Sequence, residues 1–448
     1  MNREDWQPAS RGRPGTRRAL LGGAGGAAGL AGAALLAACR EGAAPVATRR
    51  AVTLQYWSRW PSGPQQEVEE RNLPRFMEQF APIKVERSGI PGSYDDLLEK
   101  ITTAFASGTA PDVFTMGSSG IVAYAHPGSA MQLDAHARLR REAADFFGPP
   151  LEVGKYQDKV FGLTYFVDSR MPIYRRDMLA EVGAPTERKA LPKTWEQFRD
   201  VTRRLAKWEG AQLTRVGFDV PKTGDAKLFM TMVAQQGKNI YDPRGTRVAF
   251  DGQEGQRALQ TIVDLVHRDR VDSFQRPQMP SGVETLATPY VAGKFGNSAL
   301  IANVASANLD PKAYLVADFT PEFTPKVTAA SYLGGTWQMA SKTTRDVEAT
   351  VELIAFLVGP QHLLALAEAT TTVPARKSLD KAPYLQDPLL RPFYESLQYG
   401  WSVPQHPRHR EIETKLIEMV SDAAQQKKGV QQALGDAAAF ANALLASG

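Results

Sequence analysis

The 448-residue sequence contains a single cysteine, Cys39. One cysteine cannot build a disulfide framework or a Cys-based zinc site. Catalytic signatures are also missing, since HExxH, GxSxG, the P-loop and a GxGxxG following a strand do not occur. The sequence therefore offers no thiol nucleophile beyond Cys39, and we expect neither a cofactor nor a metal ion.

Excess charge is small once the N-terminal segment is set aside. The formal net charge is +5, and residues 1–38 hold five arginines against Glu4 and Asp5. Subtracting that +3 from +5 leaves a charge near +2 for the rest of the chain. Nucleic acid is thus not an expected partner, because such proteins carry a basic patch or stripe.

The N-terminal segment has the order of an export signal. Arg17-Arg18 precede an uncharged run over 19–38, and Thr16 to Leu21 are typical of a twin-arginine signal. A buried helix or a membrane span fits less well, because the run is mostly Gly and Ala. Leu36-Ala37-Ala38-Cys39 resembles a bacterial lipobox. We predict a signal peptide over 1–38 and a lipidated flexible tether over 39–50, which would anchor the protein outside the cytoplasm.

The remaining chain, roughly 400 residues, is too long for one hydrophobic core, so we expect two lobes. Strand patterns at 51–57 and 83–89 alternate with helical patterns, which favours α/β lobes with mixed or parallel sheets. Ser93 can begin a helix that Gly108 ends, and Thr194 with Gln197 forms a capping box.

The second half gives further element predictions. "SALIANV" (298–304) has the pattern of a buried strand, and 328–341 is strand-like but interrupted by Gly334-Gly335. Later patterns are helical, at 346–358, 361–369, 409–424 and 430–445.

Aromatic and small polar residues cluster where the predicted strands end. In open α/β sheets, ligands bind outside the carboxyl ends of the strands. The alternative for each residue is ordinary packing or an ordinary turn, but their joint occurrence favours a cleft. The candidates are Trp57, Ser58 and Trp60, the helix start at Tyr94, and the loop residues Ser118 and Ser119.

One group of residues resembles a metal site in composition. His406, His409 and Glu413 lie close together after two prolines. We interpret them as a solvated helix start instead of a metal centre. A pair of glycosidase carboxylates is not excluded, although no pair stands out.

Five blocks of sequence, in order, resemble family 1 extracellular solute-binding proteins, the maltose-binding-protein-like group that feeds sugar importers. Together they extend over nearly the whole chain after the leader. They are "ITTAFASGTAPDVFTMGSS", "VFGLTYFVDSRMPIYRRDMLAEVGAP" with "LPKTWEQF", "RVAFDGQEGQRALQTIVDLV", "YVAGKFGNSALIANV", and "YLGGTWQMASKTTRDVEATVELIAFLVGP" with "TTTVPARKSL".

The resemblance implies a two-lobed periplasmic-binding-protein fold of type II, with crossings near residues 166, 333 and 383. Lobe 1 would comprise 51–166 plus 334–382, and lobe 2 would comprise 167–333 plus 383–448. One departure is Tyr174-Arg175-Arg176-Asp177, where many relatives have Tyr-Asn before the Lys-Asp.

The resemblance also implies ligand-contacting residues between the lobes. Asp168 would accept hydrogen bonds from hydroxyl groups, although it could instead only pair with Arg170. Trp57 and Ser58 would lie on the lobe 1 wall. The other implied contacts are Tyr241, Asn303, Gly335, Trp337 and Trp401.

We therefore expect a monomeric, non-enzymatic, lipid-anchored receptor that delivers a carbohydrate to the membrane subunits of an ABC importer. One alternative is the same receptor for a glycerol-phosphate ester, polyol or other polar metabolite, with Arg59, Arg170 and Arg376 as candidate anion contacts. A distant alternative is a surface carbohydrate-active enzyme.

Overall fold

A computed structural model describes residues 50–324 and 331–447, except for the side chain of Ser119. The predicted leader, the twin arginine and Cys39 lie outside the described residues. Residues from Arg49 onward form one compact unit.

The strands are β1 (Val52–Ser58), β2 (Ile83–Gly89), β3 (Val113–Gly117), β4 (Lys155–Tyr156), β5 (Lys159–Val160), β6 (Leu163–Arg175), β7 (Lys207–Glu209), β8 (Gln212–Arg215), β9 (Gly293–Gly296), β10 (Leu315–Ala317), β11 (Ser331–Ala340) and β12 (Gly400–Trp401). The first eight helices are α1 (Pro64–Gln79), α2 (Tyr94–Ala106), α3 (Ile121–Ala125), α4 (Ala137–Ala144), α5 (Gly148–Val153), α6 (Arg176–Glu181), α7 (Trp195–Leu205) and α8 (Lys227–Gln235). The others are α9 (Gln253–His267), α10 (Ala299–Ala305), α11 (Pro311–Tyr314), α12 (Val347–Leu357), α13 (Pro360–Thr370), α14 (Arg391–Ser396), α15 (His409–Ala424) and α16 (Val430–Ala446).

Two long strands connect the parts of the main sheet. β1 is parallel to β2 and β3, whereas β11 runs antiparallel to β3 and β6. The first part of β6 pairs with β11, and its last part pairs with β9 and β10. β6 therefore passes from one group of strands to another, as expected of a chain that crosses between lobes.

Separate hydrophobic cores lie on the two sides of this passage. Ile101 of α2 and Phe114 of β3 are fully buried in one core. Phe198 of α7 and Ile412 of α15 are fully buried in another. Because burying each such side chain contributes about 1.5–3 kcal/mol, each core can support a lobe. The molecule has the two-lobed α/β fold that the sequence predicted.

Both predicted helix starts are confirmed. Ser93 accepts hydrogen bonds from the backbone N–H groups of Asp95 and Asp96, and the Asp96 carboxylate bonds back to Ser93. Thr194 and Gln197 form the predicted capping box before α7. These interactions satisfy backbone N–H groups that the first turn of a helix otherwise leaves without partners.

Two element predictions are wrong. Residues 299–305 form α10, not a strand, because Leu300 and Val304 are buried four positions apart on one helical face. β11 also continues through Gly334 and Gly335, with only a register shift between Thr336 and Trp337.

The apolar helices α12 and α13 are largely buried in the protein core. Within the described ranges, no single helix is long and apolar enough to cross a membrane. In the same part of the chain, α12 and α13 together, a pair bent by 47°, meet the length and composition of a span.

Candidate functional site

A cavity of about 400 Å³ lies where the strand ends of the first core face the loops and helices of the second. We call it the inner cavity. From the first group of strands and helices it takes Arg59, Tyr94, Gly117 and Ser118, and from β6 and β11 it takes Phe166, Asp168, Arg170, Tyr332, Gly334 and Gly335. The opposite wall consists of Lys227, Ser402, Val403, Pro404, Gln405, His409 and Glu413.

Tyr94 forms one corner of the inner cavity. Its hydroxyl donates to the Gly335 carbonyl at 3.3 Å and forms a 2.7 Å hydrogen bond with Thr336 Oγ1. The Arg59 guanidinium lies over the Tyr94 ring, with Cζ 3.7 Å from the ring centre. A Cβ on Gly117 would come within 2.9 Å of that ring, so glycine lets the tyrosine lie against the end of β3.

Asp168 supplies an unsatisfied acceptor. Its Oδ2 accepts a 3.0 Å hydrogen bond from Arg170 Nε, while its Oδ1 is buried without a hydrogen-bond partner in the described part of the chain. Leaving a buried polar atom unpaired typically costs about 1–3 kcal/mol. A ligand hydroxyl that donates to Oδ1 would remove that cost.

A chain of ion pairs extends from Asp168 across the cavity floor. Arg170 also contacts Asp225 at 3.4 Å, and Lys227 Nζ lies 3.6 Å from both Asp225 and Glu413. Although burial works against its charge, the neighbouring Asp168 raises the pKa of the Arg170 guanidinium. These ion pairs therefore hold the donors and acceptors of the floor in place.

Two buried titratable rings, Tyr332 and His409, line the inner cavity. Burial, with Glu413 and Asp225 nearby, raises the pKa of Tyr332. Burial lowers the pKa of His409 to about 4, and a 2.6 Å hydrogen bond joins its Nδ1 to the Tyr241 hydroxyl. Near neutral pH both rings are therefore uncharged.

Gly335 is the one wall position where the backbone requires glycine. Its φ is +139°, and an added Cβ would lie 2.1 Å from the Phe166 carbonyl oxygen. Other residues rarely adopt such a φ. This glycine lets β11 approach β6 closely at the point where both strands meet the cavity.

The arrangement suits reversible capture of a hydroxyl-rich molecule. Carboxylates and cationic side chains provide charge-assisted hydrogen bonds, and the aromatic residues Phe166 and Tyr332 contribute apolar surface to the lining. No group of three or more His, Cys, Asp or Glu side chains within residues 50–324 and 331–447 is arranged to hold a metal ion.

A second cavity of about 1000 Å³ adjoins the first, and we call it the outer cavity. Pro404 and Gln405 line both cavities. His126 and Tyr156 contribute to one wall of the outer cavity, and Tyr241, Arg244, His406 and Arg408 contribute to the other.

The structure brings several of the predicted site residues together. Tyr94, Ser118, Asp168 and Gly335 line the inner cavity, and Tyr241 lines the outer one. Asp168 does pair with Arg170, and its Oδ1 nevertheless has no hydrogen-bond partner within residues 50–324 and 331–447. Of Ser119, only the backbone is described.

The other predicted residues do not line the inner cavity. Trp337 is fully buried and donates from Nε1 to the Pro150 carbonyl, and Ser58 is fully buried against Glu69. Asn303 is exposed on α10. The remaining three pack against the cores around the cavity, and they are Trp57, Trp60 and Trp401.

Two further interpretations are corrected. α15 does not begin in solvent, because His409 is buried and lines the inner cavity together with Glu413. Arg376 is not a cleft residue, because it is 3% exposed and pairs with Glu142 and Asp145.

Sequence reasoning missed Lys227, Tyr332, Glu413 and the segment 402–405. A signal existed for Glu413, since His409 and Glu413 are four residues apart and therefore share one face of a helix.

The departure from the family pattern at Arg175-Arg176 has a structural explanation. Arg175 donates to the Leu286 and Thr288 carbonyls, and Arg176 donates to the Leu315 carbonyl.

Solved structures share this fold. The sugar-binding protein MalE from Xanthomonas citri is 18% identical, with a TM-score of 0.76 covering 88% of this chain and 98% of that chain. UgpB from Mycobacterium tuberculosis, in complex with glycerophosphocholine, is 18% identical, with a TM-score of 0.71 covering 89% and 99%. These similarities establish the two-lobed fold.

Sequence comparison identifies the family. A lipoprotein encoded in the oleD 5′ region of Streptomyces antibioticus, itself uncharacterized, is 26% identical over 331 residues, covering 71% of this chain and 68% of the relative. The family model for bacterial extracellular solute-binding proteins matches residues 74–392, well over half of the chain. That family consists of binding proteins and not enzymes. The chain belongs to the bacterial extracellular solute-binding proteins.

Proposed function

We propose that this protein captures a carbohydrate in the inner cavity and delivers it to an ABC importer. The observation that carries the proposal is Asp168, which lines the inner cavity and whose Oδ1 is a buried acceptor without a hydrogen-bond partner among the described residues. Sugar hydroxyls are donors of the kind that a buried carboxylate oxygen accepts most favourably.

The surroundings of Asp168 support the same ligand class. Phe166 and Tyr332 offer apolar ring faces for the C–H side of a pyranose. Arg170 and Lys227 are held by carboxylates on the cavity floor, so their remaining N–H groups are positioned in advance. Such preorganisation reduces the entropy that binding must overcome.

Closure of two lobes accounts for capture and release. We assign lobe 1 to residues 51–166 plus 334–382 and lobe 2 to residues 167–333 plus 383–448. A ligand that contacts both lobes favours the closed arrangement by its differential affinity for that arrangement. The membrane subunits of the importer would then receive the ligand from a monomeric receptor.

The location follows from the leader. The family is extracellular, and the Streptomyces antibioticus relative is named a lipoprotein. We assign Cys39 as the lipid-bearing residue and Arg17-Arg18 as the twin-arginine export signal. Cys39→Ser should move the protein from the membrane to the soluble fraction, while Lys-Lys in place of Arg17-Arg18 should retain it in the cytoplasm. A Cys39→Ser protein that stays in the membrane fraction would refute the lipid assignment. A Lys-Lys variant that is exported would refute the twin-arginine assignment.

Isothermal titration against a panel of mono- and oligosaccharides tests the function. We expect at least one sugar to bind, and Asp168→Asn to weaken that binding roughly 10- to 100-fold, because a charge-assisted hydrogen bond is lost. Asp200→Asn, on an exposed ion pair of α7, is the matched control and should bind normally. A folded protein that binds nothing on the panel would contradict the proposal.

A second candidate ligand class is a glycerol-phosphate ester. It is favoured by Arg59, whose guanidinium has no carboxylate partner in the described ranges and lies on the inner cavity wall. UgpB provides a fold relative bound to glycerophosphocholine. Titration with glycerophosphocholine and glycerol 3-phosphate separates the two classes. Binding of either that Arg59→Gln abolishes would favour the ester, whereas sugar binding that survives Arg59→Gln would favour the carbohydrate.

A further inference from the structure

Two buried threonines lie behind the Tyr94 corner of the inner cavity. Thr115 of β3 and Thr336 of β11 are both fully buried. β3 and β11 are antiparallel neighbours, with Thr336 opposite Gly117 and Gln338 opposite Thr115. Because side chains alternate between the two faces of a sheet, the two threonines are diagonal neighbours on one face. One sheet therefore holds both hydroxyl groups in a fixed relationship.

Thr336 is bonded to the tip of the Tyr94 ring. Thr336 Oγ1 and the Tyr94 hydroxyl are 2.7 Å apart, and the Tyr94 hydroxyl also donates to the Gly335 carbonyl at 3.3 Å. A phenol has a single hydrogen, so Thr336 is the donor to Tyr94 when Tyr94 donates to Gly335. These contacts tie the first residue of α2 to a strand residue 242 positions later in the chain.

Thr115 holds the neighbouring arginine by its backbone. Thr115 Oγ1 accepts a 2.8 Å hydrogen bond from the Arg59 backbone N–H. The Arg59 guanidinium lies over the Tyr94 ring, with Cζ 3.7 Å from the ring centre. Arg59 and Tyr94 line the inner cavity, whereas the two threonines lie behind them, outside the lining that the described residues form.

These contacts order two cavity side chains before a ligand arrives. A rotamer-rich side chain that becomes ordered only on binding weakens affinity by roughly 2- to 10-fold. Tyr94 is held at its ring tip by Thr336, and Arg59 is held at its backbone by Thr115 and at its guanidinium by the Tyr94 ring. Folding therefore orders this corner, and binding does not have to.

We infer that Thr336 and Thr115 are positioning residues for ligand binding, which act through Tyr94 and Arg59 on the wall of the inner cavity. The inference rests on the proposed function, because it takes the inner cavity as the ligand site. Ligand affinity then depends on two hydroxyl groups that the ligand does not touch.

Titration calorimetry on the purified full-length protein tests this inference. The probes are the mono- and oligosaccharides of the panel together with glycerophosphocholine, and each variant is titrated with the probe that the wild type binds most tightly. Thr336→Val removes the hydroxyl but keeps a branched side chain, and it should weaken affinity about 2- to 10-fold. Thr336→Ser keeps a hydroxyl at this position and should bind within about twofold of the wild type.

A double-mutant cycle separates positioning from a general loss of packing. Tyr94→Phe keeps the ring and removes the hydroxyl that Thr336 contacts. If Thr336 acts through that hydroxyl, the double variant should bind no more weakly than the weaker-binding of the two single variants. Additive losses of affinity would show that Thr336 affects binding by another route and would overturn the inference.

Two further variants make the result specific. Thr115→Val leaves the Arg59 N–H without its acceptor and should also weaken affinity about 2- to 10-fold, so it decides the outcome if Thr336→Val fails to fold. Thr202→Val is the matched control, because Thr202 is a fully buried threonine of α7 whose hydroxyl donates to the Phe198 carbonyl at 2.7 Å. It should bind like the wild type, and an equal loss of affinity there would overturn the inference.

The possible failures are distinguishable. Folded Thr336→Val and Thr115→Val proteins that bind like the wild type overturn the inference and leave the receptor standing. A folded wild-type protein that binds none of the probes overturns both.

Discussion

The carboxylate of Asp95 and the guanidinium of Arg410 form an ion pair, with Arg410 Nη2 2.7 Å from Asp95 Oδ2. Asp95 follows Tyr94 in the first turn of α2, and Arg410 follows His409 in the first turn of α15. The pair therefore joins helices that belong to different hydrophobic cores, beside two residues of the inner cavity. Separating the two walls of the cavity would break it.

This ion pair should help to hold the two cavity walls together, and its effect on ligand affinity should depend on the salt concentration. Exposed pairs contribute only about 0.2–1 kcal/mol, so Asp95→Asn or Arg410→Gln should weaken ligand affinity about 1.5- to 5-fold at low ionic strength. The difference from wild type should disappear in high salt, because screening removes the attraction. Titrations in both conditions check this. As a control, Glu152→Gln breaks the exposed Lys155–Glu152 pair and should leave ligand affinity unchanged. An equal loss of affinity in this control would show that the effect is not specific to the Asp95–Arg410 pair.

Gly335→Ala should destabilise the protein by roughly 2–4 kcal/mol, through strain at positive φ and overlap with the Phe166 carbonyl. Urea unfolding measures the change. Gly435→Ala is the matched control, since no atom lies within 4 Å of its added Cβ on α16. It should stabilise by about 0.5–1 kcal/mol. Comparable stability of the two variants would show that β11 tolerates a side chain at 335.

Arg376→Ala should also destabilise the fold, by roughly 3–5 kcal/mol, because it leaves Glu142 and Asp145 without their buried partner. The folded variant should retain wild-type ligand affinity, since Arg376 lies outside the inner cavity. Arg203→Ala, on an exposed pair of α7, should change stability by less than about 0.5 kcal/mol. Loss of binding by a stable Arg376→Ala protein would contradict this assignment.

Stability should fall with acidification partly because of His409. Burial lowers its pKa in the folded protein to about 4, against 6.5 as the ordinary value. The contribution of neutral His409 to the free energy of unfolding is complete above pH 6.5. It is lost as the pH falls toward 4, because the unfolded chain takes up a proton that the folded chain excludes.

Urea unfolding at pH 7 and pH 5 measures this contribution. Between these two pH values, the free energy of unfolding of His409→Gln should fall by about 2 kcal/mol less than that of the wild type. His362, whose pKa burial lowers to about 3, remains in both proteins and contributes equally to each. If the free energies of unfolding of the two proteins fell equally between pH 7 and pH 5, His409 would not be the source of the expected loss of stability.

Short sequence patterns predicted the parts of this fold that depend on residues close together in the sequence. The helix start at Ser93 and the capping box at Thr194 could be predicted, because the residues that form the hydrogen bonds lie within three positions of each other. The resemblance in sequence identified Asp168. The resemblance also implied Trp337, which is instead buried in the core just after the register between β11 and β6 shifts.

Long-range proximity could not be predicted in the same way. Lys227 and Glu413 are separated by 186 positions in the sequence, and only the packing of α8, α9 and α15 brings their charged groups to 3.6 Å. Tyr332 approaches Trp401 because β12 pairs with β11. Each of these contacts depends on the tertiary arrangement of whole elements, and no short pattern in the sequence encodes it.

The central claim is that a sugar occupies the inner cavity and satisfies Asp168. A crystal structure of the protein with the tightest-binding sugar of the panel tests it most directly. We expect a sugar hydroxyl at about 2.5–2.7 Å from Asp168 Oδ1, the usual length of a hydroxyl-to-carboxylate hydrogen bond. A bound sugar that lies elsewhere, with Oδ1 still unpaired, would contradict the account.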